Sequence, residues 1–181
     1  MSDNVTGMKE LLEYIYSRGH RKIAYIHGAM SAVTSGRLSS FYRTAERLGL
    51  QIPDEYIREA AYRDTATTYR MTNELLDLPD PPTCIIYPDD TSLIGGRNVI
   101  IEMGLRIPRD ISVAGYDGTM ISQLLYPKLT TIRQNTEMIG SEAATRLIGT
   151  IEKPRTTLVE RVVIEGSLVP GQSVGAIQPK G

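Results

Sequence analysis

Apolar residues recur along this chain in two alternating periods: the three-to-four spacing of a helix face, and the unbroken or two-residue spacing of a buried strand. Residues 7–18 carry Leu11, Leu12, Ile15 and Tyr16 as a stripe at helical spacing, and Gly19 follows in the place of a C-terminal cap. Residues 22–27 (KIAYIH) form a short β-rich run, and 37–48 return to helical spacing that stops at Gly49. The alternation then predicts a strand over 56–62, a helix over 67–78 ended by Pro79 and the Pro81-Pro82 pair, a strand over 83–87 and a helix over 92–103 capped by Gly104. Strands over 111–116 and 129–133, a helix over 136–151 and a strand over 160–165 complete the series.

Strands alternating with helices between 22 and 133 imply βαβ units with right-handed crossovers and a parallel sheet. Five strands at this spacing suit a flavodoxin-like, doubly wound α/β fold of three layers, α/β/α, in the order 2-1-3-4-5. The flanks are too poor in strands to build a sheet of their own. The pattern therefore predicts a whole subdomain at 21–133, with pieces of another at 1–20 and 134–165. A return strand and a fraying tail rich in Gly, Pro, Ser and Gln are expected over 166–181.

Composition narrows the chemistry. Across 181 residues, 20 Lys and Arg stand against 21 Asp and Glu, a net charge of −1 that exerts no global pull on nucleic acid. The lone Cys84 excludes an intrachain disulfide and a cysteine zinc site, and its apolar setting (TCIIY) predicts an inert buried thiol. His20 and His27 are too isolated to hold a metal, and packing or capping is expected of them. No cofactor is expected: there is no Walker loop and no strand-linked dinucleotide fingerprint, nor is there a Gly-x-Ser-x-Gly nucleophile elbow. No apolar run is long enough to span a bilayer, and residues 1–20 are too polar for a secretory signal, so a cytoplasmic location is expected.

The densest stretch is 107–134, IPRDISVAGYDGTMISQLLYPKLTTIRQ. One strand delivers Asp117, and the next Gln134, to the carboxyl edge of the sheet, where open α/β folds bind ligands. Several segments around it resemble the effector-binding core of the lactose-repressor/galactose-repressor (LacI/GalR) transcription regulators. They are RGHRKIA at 18–24, RLSSF at 37–41 (with Ser40 where the family has glycine), PTCI at 82–85, Asp89-Asp90, and above all GLRIPRDISVAGYD at 104–117. Asp3-Asn4 with Gly7, then PKLTTIRQ at 127–134 and Gly140, extend the likeness over most of the chain.

The resemblance implies two α/β subdomains crossed by three strands, with a small-molecule effector, a sugar or nucleobase, bound in the cleft between them. It implies that the chain starts near the end of the family's first subdomain, and that operator DNA is met only through an N-terminal helix-turn-helix outside it. With half the cleft wall absent, weak effector binding is expected. A homodimer is expected through the helix from Leu93 to Met103, which carries Ile94, Val99, Ile100 and Ile101, and through the apolar loop from Met120 to Tyr126. The resemblance points to sensing rather than catalysis. A periplasmic-type sugar-binding protein shares the two-subdomain fold but requires a secretory signal.

The resemblance puts Arg37 in the cleft, where a guanidinium offers a rigid fork of donors. The other reading is a solvated arginine in a helix's first turn, which the dipole disfavours. Asp117 either accepts two sugar hydroxyls or caps a helix or turn. Asp89 stands where family members usually carry a ligand-facing Asn. It either favours a donor-rich or cationic ligand or caps the helix that begins near Ser92, and the Asp89-Asp90 pair lacks a third group for a metal. Tyr62 either stacks on a pyranose face or packs at the rim. Ser35, with Thr34, lies at a helix N-terminus suited to anions or hydroxyls, or serves as a plain cap. Gln134 completes the set.

Overall fold

The computed structural model describes residues 1–152 and 161–177. One six-stranded sheet runs in the order β2-β1-β3-β4-β5-β6. Its strands are β1 (Ile23–His27), β2 (Ile57–Glu59), β3 (Cys84–Ile86), β4 (Ser112–Asp117), β5 (Thr130–Arg133) and β6 (Ser167–Val169). The first five are parallel in the predicted order, and β6 returns antiparallel on the free edge of β5. The helices are α1 (Asn4–Ser17), α2 (Ala32–Arg47), α3 (Thr65–Leu76), α4 (Ser92–Glu102), the short α5 (Met120–Leu124) and α6 (Thr136–Glu152).

Strand geometry sorts the core into two layers because successive side chains leave a strand on opposite faces. Ile23, Tyr25, Cys84, Ile86, Ala114 and Tyr116 face one way, onto Met8, Leu11, Leu12 and Ile15 of α1 and Phe41 of α2. Ala24, Ile26, Ile85, Tyr87 and Val113 face the other way, onto Leu75 of α3 and Leu93 and Ile100 of α4. Burial on both faces explains why these strands read as unbroken apolar runs rather than alternating ones. The α3–α4 contact is unusually close: a side chain on Gly95 would collide with the Thr65 carbonyl, and the Thr68 hydroxyl donates to the Ser92 carbonyl at 2.6 Å. The Cys84 thiol is fully buried, and burial pushes its pKa up.

Several elements differ from expectation. Helix α2 begins at Ala32, five residues before the predicted start, because Ser31 caps it, its hydroxyl accepting from the Thr34 N–H. Arg37 therefore sits in the second turn, where the helix dipole bears little on it. Strand β2 ends at Glu59, so Tyr62 lies in the turn beyond it. Of the strand expected over 160–165, residue 160 lies outside the described residues. From 161 to 165 the chain pairs only through a single parallel bridge, Ile164 with Ser2, and the return strand, β6, lies beyond it on the open edge of β5.

The tail does not fray through 177. Ser173 and Val174 are buried, the Ser173 carbonyl accepts from the Val113 N–H at 3.0 Å, and the Arg18 carbonyl accepts from the Ile177 N–H at 2.8 Å. Residues 178–181 lie outside the described residues.

The grouping of residues 1–20 with 134–165 is also corrected. Met8, Leu11, Leu12 and Ile15 have no exposed surface, so α1 is a structural layer of the subdomain itself. Helix α6 is its opposite: it buries no residue, and Met138, Leu147, Ile148 and Ile151 are each more than half exposed. Among the described residues, no helix is long and apolar enough to cross a membrane.

Urea denaturation distinguishes these two helices. Leu12→Ala is expected to cost about 2–5 kcal/mol, the range for a large-to-small change in a closed core. Leu147→Ala on α6 is expected to cost less than about 0.5 kcal/mol. Equal losses from the two substitutions would contradict the packing described.

Candidate functional site

The carboxyl ends of β1, β3, β4 and β5 form one edge of the sheet, and a buried cation organises it. Arg37 of α2 is 3 % exposed. Its Nε donates to Asn4 Oδ1 at 2.9 Å, its Nη1 to the Pro88 carbonyl at 2.9 Å, and its Nη2 reaches Asp117 Oδ1 at 3.5 Å. The guanidinium carbon lies 3.5 Å from the centre of the Tyr116 ring and 6.0 Å from that of Tyr62. Stacking and fork-shaped donation are what suit arginine, and not lysine, to such a place.

Asp117 ends β4 at φ +93°, a conformation uncommon outside glycine, and Gly118 follows at φ +63°. Asp117 remains half-buried, and its Oδ1 also accepts from the Gln134 side-chain amide. The Gln134 Oε1 in turn accepts from the Ser2 hydroxyl. Gln134 borders an open cavity of about 700 Å³, lined also by Arg133, Asn135, Glu137, Glu165 and Ser167, where the chain passes from β5 to α6 and returns to β6.

Tyr62 is 36 % exposed and leans over Gly28, whose lack of a side chain admits the ring. Its hydroxyl hydrogen-bonds Thr34 Oγ1 at 2.9 Å. Ser35 is exposed in the first turn of α2, while Ser31 and Thr34 carry the capping bonds expected of that region. Arg37, Asp117 and Gln134 thus form one connected group. Tyr62 closes its side toward β1, and Ser35 stands apart on the surface.

The two neighbouring carboxylates at the end of β3 do different work. Asp89 is 3 % exposed, and its oxygens accept from the N–H groups of Thr91, Ser92 and Arg63 and from the Ser92 hydroxyl, all at 2.7–2.9 Å. It caps α4 and clamps Arg63, which sits at φ +61°. With four donors engaged, Asp89 takes the capping alternative. Asp90 is fully buried and accepts from Thr131 Oγ1 at 2.7 Å and from the Thr119 N–H and hydroxyl at 2.7 and 3.0 Å. Burial pushes its pKa up to about 6 against these bonds, with the Asp117 charge adding to the rise. Among the described residues, no group of three His, Cys, Asp or Glu is placed to hold a metal ion.

Sequence reasoning missed Asn4, Ser2 and Tyr116 as members of the site. Asn4 and Tyr116 stood inside recognised segments, but only folding turns them toward Arg37.

The chain matches the model of the periplasmic binding protein-like domain family over residues 12–174. It is 34 % identical over 157 residues to the probable HTH-type transcriptional repressor ExuR of Bacillus subtilis (strain 168), an alignment covering 86 % of this chain and 47 % of that protein. The chain thus spans about half the length of this curated relative. A solved complex of the transcriptional regulator CelR with cellobiose superposes with a TM-score of 0.87 at 26 % identity, over 95 % of this chain and 52 % of that one. The lac repressor dimer bound to operator and the anti-inducer ONPF superposes with a TM-score of 0.86 at 27 % identity, over 97 % and 60 %. These relatives are named as transcriptional regulators rather than enzymes.

Asp90 carries a pH prediction. Its folded pKa of about 6 lies above the ordinary 3.8, so the folded state holds the proton more tightly. Its contribution to stability is therefore fully present below about pH 4 and is lost as pH rises through about 6, by at most about 3 kcal/mol. In Asp90→Asn the amide oxygen still accepts from Thr119 and the NH₂ donates to Thr131. Urea midpoints from pH 4 to 7 should fall for the native chain relative to this variant. Parallel pH profiles would show that Asp90 carries no such linkage.

Proposed function

This chain belongs to the periplasmic binding protein-like domain family, and on that premise we propose that it is the effector-sensing part of a LacI/GalR-type, ligand-gated transcription regulator. The observation that carries the reading is the connected group Arg37–Asp117–Gln134 at the carboxyl edge of the parallel sheet, flanked by the half-exposed ring of Tyr62. A fork of donors, a carboxylate, an amide and an aromatic face form the complement of a hydroxyl-rich or planar heterocyclic ligand. The effector is a sugar or nucleobase, bound without catalysis, and the cellobiose complex of a relative supports the sugar class. In this reading Arg37, Asp117, Gln134 and Tyr62 face the ligand, Ser35 stands at its rim, and Asp89 acts through the turn that carries Tyr62. Operator contact would come through a helix-turn-helix such as the relatives' names imply, and the setting would be cytoplasmic.

The proposed homodimer uses the outer end of α4 and α5. Leu93, Val99 and Ile100 are consumed by the core, which narrows the expected surface to the partly buried Ile94 with Ile101, Met103, Met120, Leu124 and Tyr126. The last three are more than 70 % exposed.

Titration of the chain with cellobiose, other sugars and nucleobases, followed by amide NMR shifts, is expected to perturb Asp117 and Gln134 at millimolar ligand. Asp117→Ala should abolish the perturbation. A panel that shifts neither residue would overturn the effector reading. Light scattering should give twice the chain mass, reduced to one by Leu124→Asp. A native monomer at high concentration would refute the interface.

A further inference from the structure

Five side chains and one carbonyl close a ring. Ser2 Oγ donates to Gln134 Oε1, and the Gln134 amide donates to Asp117 Oδ1. Asp117 faces Arg37 Nη2, Arg37 Nε donates to Asn4 Oδ1, and Asn4 Nδ2 returns to the Ser2 carbonyl at 3.2 Å. Three members of the ring are the proposed ligand contacts, and the other two lie where the chain leads into α1. That segment is itself one side of a two-chain crossing: the Asp3 N–H donates to the Ile164 carbonyl and the Ile164 N–H to the Met1 carbonyl, both at 2.8 Å.

We propose that Ser2 and Asn4 are positioning residues that tie the ligand-facing trio to the crossing formed by residues 1–3 and 162–164. The inference rests on the effector-site reading for the role of the trio, but the physical link stands without a ligand. Asn4 is 8 % exposed and fixes the guanidinium at its Nε, while Pro88 and Asp117 engage Nη1 and Nη2. An uncharged acceptor there leaves Asp117 as the only anionic partner of Arg37 in the ring. A ligand that takes the Gln134 amide hydrogen or Asp117 Oδ1 for itself opens the ring at that bond and loosens the Gln134 side chain that Ser2 holds. Occupancy of the site and the hold on the crossing are therefore linked through differential bonding in two states.

The test needs no ligand. Hydrogen exchange is followed on the full chain and on Asp117→Ala, with Gln134→Leu as a second cut in case the first disturbs the end of β4. The amides of Asp3 and Ile164 are expected to exchange at least tenfold faster in both variants, while the core amide of Val113 keeps its protection. In Asn4→Ala the Arg37 Nε–H signal should lose protection, and Asn4→Asp, which keeps the acceptor, should restore it. Unchanged exchange at Asp3 and Ile164 in both site variants would overturn the link and leave the effector reading intact. A link confirmed here alongside a silent ligand panel would do the reverse.

Discussion

A buried guanidinium is the constraint around which this site is built. Charge removed from water must be paired and hydrogen-bonded, or it opposes folding by several kcal/mol. Arg37 meets that demand from four directions: Asn4 of α1, the carbonyl of Pro88 after β3, the carboxylate at the end of β4, and the face of Tyr116 beneath it. The partners come from three separate parts of the chain, α1, the end of β3 and the end of β4, so satisfying one side chain fixes the relative positions of the first helix, the sheet edge and α2. The group that would greet a ligand is also the group that holds the edge together.

The two aspartates after β3 show how neighbouring identical residues diverge. Asp89 points back to the start of α4 and spends its oxygens on backbone N–H groups, which lack partners at any helix start. Asp90 points into the sheet and ties β3 to Thr131 of β5 and to the turn at Thr119. A side chain on Gly115 would displace the Asp90 carboxylate, so the glycine between Ala114 and Tyr116 makes room for a buried acid. Neither carboxylate is free, which leaves Asp117 as the half-open acceptor of the edge.

The distribution of burial also separates closed elements from open ones. Helix α1 is closed on the core, and the tail to 177 is pinned along β4 and β5 by Ser173 and Gly175. Helix α6 carries apolar residues at the density of a core helix and buries none of them. The crossing at Ser2 and Ile164 joins these two regimes and carries the ring that reaches the site.

Much of this was legible in the residues alone. The five parallel strands and their order followed from alternating periods, because burial on both faces demands continuous apolar runs and right-handed crossovers leave few topologies. Asp117 and Gln134 were legible because they end strands, and strand ends share one edge. What the residues could not determine was set by contacts distant in the chain. Residues 161–165 make only a bridge to Ser2 while β6 pairs along β5, because a strand needs an open edge as well as β-forming side chains. Asn4 became a partner of Arg37 only once α1 was laid beside α2. Local pattern determined which elements exist. Tertiary structure decided which polar groups meet, because a buried donor takes whichever acceptor the packing brings within about 3 Å.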